Sequence, residues 1–269
     1  MIEQIAFTTE RPPNDEVLTE LPDALNVRAV IVARDPAPEK SIPEDNILVL
    51  QVPMASDAGV QQDEESNLAL VREWVDAPYE RPTAMMTTLQ GVRVFWTRRR
   101  FAVLATPDRL RLVAAALAEA TYYEAELHSI EVALGEMWPQ MEADIPNAFE
   151  FDALPDPQRQ ELAARFQRTM LLSARLARIG PQVHCPHLHP PTLASQVNER
   201  LRERTQMAHR HELVGDQVEV FESVYEMCGQ RASDFSLATK GHNLERIIIV
   251  LLLAQLMFWV FEILTTLGS

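Results

Sequence analysis

A chain of 269 residues is long enough to bury a sizeable core, as one large or two small domains. Its formal charge of −15 argues against nucleic acid as a partner, because binding phosphates takes a surplus of Lys and Arg. Only eight glycines occur, which argues against Gly-rich phosphate loops and a mostly turn-built all-β fold.

The start, Met1-Ile2-Glu3-Gln4-Ile5, lacks a positive region followed by an apolar stretch, so it does not read as a secretory signal. Glu3, Glu10, Asp15 and Glu16 argue against a transit peptide, and two cysteines make no disulfide framework. A reducing, cytoplasm-facing setting follows. Short apolar or alternating runs over 2–8, 27–33 and 47–52, bounded by Pro, Asp or Asn, predict strands, and 86–89 adds another. The polar, acidic stretch 53–67 reads as a surface loop. Gly91-Val92-Arg93-Val94-Phe95-Trp96 and Phe101-Ala102-Val103-Leu104 predict a hairpin, with Val92, Val94 and Trp96 on its core face. Arg98, Arg99 and Arg100 sit near its turn. They are expected to pair with the acidic face of residues 1–80, the other reading being contact with anionic lipid headgroups.

Beyond Pro107 the period changes. Val113, Ala116, Ala120, Tyr123, Leu127, Ile130, Leu134 and Met137 step by threes and fours, a heptad seam expected to serve self-association or simple core packing. Pro139 and Pro146 are expected to end that helix. A second helix is predicted from about 158 to 179, stopped by Gly180-Pro181, and a third from about 192 to 237. Val197, Leu201, Met207, Val214, Val218, Phe221, Tyr225, Cys228 and Phe235 form the stripe of the third.

The segment 247–264 is apolar all round, with Gln255 its polar residue near the middle. About 18 residues of helix make roughly 27 Å, near the thickness of a bilayer core. Lys240 and Arg246 precede it, so a single-pass tail anchor is expected, with the body in the cytoplasm and membrane lipid as a partner. Ile247, Leu251, Gln255, Trp259 and Phe261 are its expected anchor residues. The competing reading is a helix buried at the centre of an oligomer.

Between the second and third helices lies His184-Cys185-Pro186-His187-Leu188-His189. Imidazole and thiolate are zinc ligands, and alternate residues of an extended segment can face one ion. His184, Cys185, His187 and His189 are therefore the candidate metal residues, zinc being the alternative to no cofactor at all. His209, His211 or Cys228 are available as distant ligands. The bland reading is a rigid turn with solvated histidines. No Gly-x-x-x-x-Gly-Lys-Ser/Thr, Gly-x-Gly-x-x-Gly, Gly-x-Ser-x-Gly or His-Glu-x-x-His motif occurs, so no catalytic residue is nominated.

Residues 211–226, from His211-Glu-Leu-Val-Gly to Val-Tyr-Glu226, and then His242-Asn-Leu-Glu-Arg-Ile-Ile-Ile249, resemble the end of the "required for meiotic nuclear division" family. The strand Gly91-Val92-Arg93-Val94-Phe95-Trp96 is similar to that family's Gly-Val-Val-Phe-Trp strand, while Arg246 stands where the family has an aromatic. The resemblance implies an oligomeric, single-spanning membrane protein without established catalysis. Pentameric magnesium channels share a layout of helices leading into a C-terminal span, but their Gly-Met-Asn signature and second span are missing here.

The sequence thus predicts an α+β protein. A small acidic β-containing domain (1–106) precedes a long-helix bundle or coiled-coil stalk (107–240) and a C-terminal transmembrane helix (244–266). The expected function is a non-enzymatic, membrane-anchored homo-oligomeric scaffold or assembly factor with an unknown protein partner. The alternative is a metal-binding sensor or a component of cation transport using loop 184–189.

Overall fold

Val92, Val94 and Trp96 alternate with Arg93 and Phe95, and both this run and the apolar run 101–105 form strands. The structure, a computed structural model, describes residues 1–10, 16–22, 25–35, 43, 45–54, 61–81, 83–149, 156–185 and 191–267. Within these, the side chains described exclude those at 61–66, 156, 232, 234–243, 258 and 260–267. Among the described residues are seven strands: β1 (Ile2–Thr8), β2 (Glu16–Glu20), β3 (Arg28–Arg34), β4 (Ile47–Pro53), β5 (Met85–Leu89), β6 (Val92–Trp96) and β7 (Arg100–Ala105). They make one sheet of order β2-β3-β1-β4-β7-β6-β5. All neighbours are antiparallel except β4 and β7, which run parallel from Leu48 opposite Arg100 to Pro53 opposite Ala105. A parallel pair needs a crossover, and helix α1 (Gln61–Asp76) with the β5–β6 hairpin lies between its strands in the chain.

Two turns set the hairpins. Gln90 and Gly91 join β5 to β6 with φ of 47° and 80°, the left-handed pair that a two-residue turn matched to sheet twist requires. In the next turn the Thr97 N–H donates to the Arg100 carbonyl at 2.8 Å, and the Arg100 N–H donates to Thr97 Oγ1 at 3.1 Å. Arg98 and Arg99 are left at the tip, as the sequence predicts.

The chain divides into two compact units. The first, Met1–Ala133 with Ala174–Gly215, holds the sheet, α1, the early part of α2 (Pro107–Asp144), the end of α3 (Asp156–Val183), α4 (Leu193–Arg204) and the start of α5 (Met207–Leu267). On one sheet face Val94, Trp96, Phe101 and Val103 pack with Val113, Leu117 and Ala120 of α2 and with Val197 and Leu201 of α4. On the other, Phe95, Ala102 and Leu104 pack with Val71 and Val75 of α1. The sequence put one hairpin face in the core. Both are covered, because α1 forms across part of the acidic stretch expected to be a loop, with Leu68, Val71 and Val75 on one helical face.

The indole Nε1 of Trp96 donates to Thr121 Oγ1 at 2.8 Å, and that hydroxyl donates on to the Leu117 carbonyl at 2.6 Å. Thr121 is 0% exposed, so Thr121→Val leaves the indole N–H without a partner in a dry core. A loss of about 1–3 kcal/mol is expected, seen as a fall of several degrees in melting temperature.

The second unit comprises Leu134–Ser173 and Asp216–Ser269. Its polar centre is Asp144, 5% exposed, whose two carboxylate oxygens accept from Arg165 Nη1 at 2.7 Å each. The Tyr225 hydroxyl donates to the same carboxylate at 3.3 Å. Burial, with Asp144 beside it, pushes that phenol up to about 12. Trp138 meets Phe221 edge-on at 5.2 Å between ring centroids, and Met137, Met141 and Val218 are buried.

Several predicted helix ends move. Helix α2 continues through Pro139 to Asp144, and α3 through Pro181 to Val183. Proline removes one backbone donor and does not by itself end a helix whose next turn still bonds, as the His184 N–H does to the Gly180 carbonyl at 2.9 Å. The predicted third helix is two. Gln206 takes φ of 51°, and the Thr205 Oγ1 and N–H both go to the Leu201 carbonyl, ending α4.

The C-terminal membrane-spanning helix is not supported: among the described residues, no helix is long and apolar enough to cross a membrane. The apolar run belongs to the 61-residue α5 and continues the same helix that starts at Met207. The tail anchor, and the single-pass membrane localisation expected from it, fall with that helix. The α+β class, in which a seven-stranded sheet is followed by long helices, remains.

Candidate functional site

The first unit carries the candidate sites. Helix α2 presents Glu124 and Glu131 seven residues apart, on one face. Glu124 is 1% exposed and accepts from Arg98 Nε at 2.9 and 2.8 Å through its two oxygens, and from Arg210 Nη1 at 2.9 Å. Arg210 grips Glu131 with its other edge, Nε and Nη2 donating at 2.7 and 2.6 Å. Those bonds to Glu131, helped by Glu124, hold the Arg210 guanidinium well above its ordinary range. Although burial opposes it, Arg210 draws the Glu131 carboxyl below its usual value. The group borders a cavity of about 380 Å³ walled by Trp96, Tyr79 and Arg204. The sequence paired Arg98 and Arg100 with the acidic first eighty residues. Arg98 instead meets Glu124 on α2, while Arg100, 3% exposed, donates to the Trp74 carbonyl at 2.7 Å and lies 5.1 Å over that indole.

A second cavity, about 320 Å³, lies beside the N-terminal turn of α4 and is lined by Glu119, Tyr123, Cys185 and Asn198 among others. The Tyr123 hydroxyl donates to Glu119 Oε1 at 3.2 Å. Asn198 Oδ1 is buried there without a hydrogen-bond partner among the described residues. Burial raises the Glu119 carboxyl above its usual value, against the opposing pull of Tyr123 and Arg202. An acid raised in the native state takes its proton more readily there than in the unfolded chain. Its ionisation therefore costs stability as pH rises from the unfolded value, near 4.5, through the native one. Glu119→Gln keeps an oxygen for Tyr123 and removes that cost. The variant is expected to melt higher than the parent at pH 7.5 and to show no such gain at pH 4, measured by thermal denaturation.

Of the candidate metal residues, His184 and Cys185 are described, while His187 and His189 lie outside the described residues. His184 Nε2 stands 3.3 Å from His211 Nδ1, and His211 Nε2 stands 3.1 Å from the Leu176 carbonyl. Among the described residues, no three or more His, Cys, Asp or Glu gather as metal ligands.

The seam residues Val113, Ala120, Tyr123, Leu127, Ile130 and Leu134 are all at most 4% exposed within one chain, so the seam is packed against this chain's own core. Along α5, Ile247, Leu251 and Trp259 are 56%, 60% and 66% exposed, and Gln255 is exposed with them. The Phe261 side chain lies outside those described. Sequence reasoning missed Glu124, Glu131 and Arg210. Their signal was present, since Glu124 and Glu131 each follow a seam residue directly, at the flank where a charge meets a neighbouring helix.

No family model and no curated protein matches the chain. Among solved structures, one described as "structure of the full-length CmaX protein" matches at 14% identity and a TM-score of 0.38, covering 83% of this chain and 78% of that one. A likeness at that level carries no argument about fold or function. The resemblance to the meiotic nuclear division family therefore rests on the residues quoted for it alone.

Proposed function

We propose that this protein is a non-enzymatic, homo-oligomeric scaffold that assembles through the apolar end of α5. The observation that carries the reading is the run from Leu244 to Trp259, where eleven large apolar side chains stand 53–69% exposed in the single chain. Together they offer on the order of 1,000 Å² of apolar surface per copy, against roughly 800 Å² per partner in a standard interface. Monomeric soluble proteins rarely leave that much contiguous apolar surface to water.

The occupant is a second copy of the same segment. From Ile247 to Trp259 there is no charged residue to specify a different partner, and every copy presents an identical surface. Apolarity on all faces asks for neighbours on more than one side, which several copies supply and a single docked peptide does not. The buried acids Glu124 and Asp144 are held in arginine ion pairs, which supports a structural role for both.

Sedimentation of the purified chain, 30.5 kDa, at micromolar concentration in detergent-free buffer tests this. A multiple of the chain mass is expected. A strict monomer, or a monomer that instead partitions into lipid vesicles, overturns it.

A further inference from the structure

We infer that His184 and His211 form a two-histidine site for a divalent transition-metal ion of the zinc class. The two rings come from separate parts of the chain: His184 follows the end of α3, and His211 lies in the second turn of α5, 27 residues later. Their centroids are 5.0 Å apart and their planes nearly perpendicular at 85°.

Three features make the pair a ligand set and more than two neighbouring imidazoles. The first is the nitrogen separation. Two nitrogens each about 2.05 Å from one tetrahedral ion stand about 3.4 Å apart. His184 Nε2 and His211 Nδ1 are 3.3 Å apart, so an ion enters without moving either helix.

The second is the far side of His211. Its Nε2 faces the Leu176 carbonyl at 3.1 Å, an acceptor only, so that nitrogen carries the ring proton. Nδ1 is then left with its lone pair toward His184. A ring N–H held by a backbone carbonyl is the usual outer support of a metal-bound histidine, fixing its tautomer and orientation.

The third is Gly180. A Cβ at that position would lie 3.3 Å from His211 Nε2 and 3.4 Å from Cε1, so the missing side chain lets the imidazole rest on the α3 backbone.

In the empty pair His184 donates from Nε2 to His211 Nδ1. Binding needs only a tautomer change at His184, its proton moving to Nδ1 as the freed Nε2 lone pair turns to the ion. No redox step and no net proton release is involved. His184 is exposed, so the pair is open to solvent and to an entering ion. Imidazole suits zinc, copper and nickel and ill suits magnesium, so the site discriminates by donor type.

The test is zinc titration of the full chain at pH 7.5 against a chromophoric chelator, with magnesium as a control. One zinc per chain is expected, and His211→Ala and His184→Gln should each weaken it at least tenfold, with far-UV circular dichroism unchanged. Gly180→Ala keeps both ligands yet crowds the ring, and should also weaken binding. His184 is exposed at a helix end, so its variant keeps the test open if His211→Ala fails to fold. Failure of the parent to bind zinc overturns the site, as does binding that both variants retain, which would put the ion on other residues. Neither result bears on self-association, which the mass measurement reads separately.

Discussion

Replacing Leu252 and Leu256 of α5 together by glutamate is expected to turn the assembly into 30.5 kDa monomers. The two residues stand four apart, on one face of the helix, at 59% and 60% exposure in the single chain. In an interface each leucine contributes about 1.5–3 kcal/mol when buried. Each glutamate also has to leave water without a base to meet it, because no charged residue lies over 247–259. The combined loss exceeds about 4 kcal/mol, and at 1.4 kcal/mol per decade it weakens association on the order of a thousandfold. Both leucines are exposed in the single chain, so the variant should keep the parent's melting transition at the temperature where the monomer unfolds. Sedimentation and circular dichroism together check it. An assembly that survives both glutamates would place the contact elsewhere on the chain.

The same helix shows where reading the sequence ran out. The apolar run at 247–264 was legible, but it was read as a separate span. Among the described residues nothing breaks between the buried stripe of Val214, Val218, Phe221 and Tyr225 and the exposed run after Leu244, and both belong to one helix. Periodicity reports which residues are apolar, and it does not say what covers them. β1 was legible to the residue, and the β6–β7 hairpin nearly so, because both are short apolar or partly alternating runs rich in strand-forming residues. β2 was missed because Glu16-Val-Leu-Thr-Glu20 is a short edge strand with charged ends, which is how edges are kept from pairing with other chains. The part of α1 over 61–67 is acidic and polar, and only Leu68, Val71, Trp74 and Val75 mark a buried face. The long-range contacts that build the sites join residues 26 to 86 positions apart. Local spacing names such residues as types and leaves their partners open. His211 was among the available distant ligands, yet only the fold brings it to His184.

Glu124→Ala should be the most damaging single polar substitution in the first unit. Its carboxylate is 1% exposed and accepts from two arginines on different elements, the β6–β7 turn and the start of α5. Removing one partner of a buried ion pair costs about 3–5 kcal/mol when the charge left behind has nowhere to go. Here the two arginines differ. Arg210, 20% exposed, keeps its two-pronged grip on Glu131, whereas Arg98, 43% exposed, can swing partly into water. That relief brings the expected loss to about 2–3 kcal/mol, or roughly 4–12 °C for a unit of this size. Glu124→Gln keeps the shape and one acceptor oxygen, so it should lose about half as much. The exposed pair of Arg28 and Glu20, 3.0 Å apart with side chains 27% and 60% exposed, is the control, and Glu20→Ala should cost less than about 1 kcal/mol. A double-mutant cycle on Glu124 and Arg98, read by denaturant unfolding, separates the pair from the burial of either group. If the coupling energy is no larger than at a surface pair, Glu124 holds its place by packing, and the turn carrying Arg98 is fixed by its backbone bonds and Thr97.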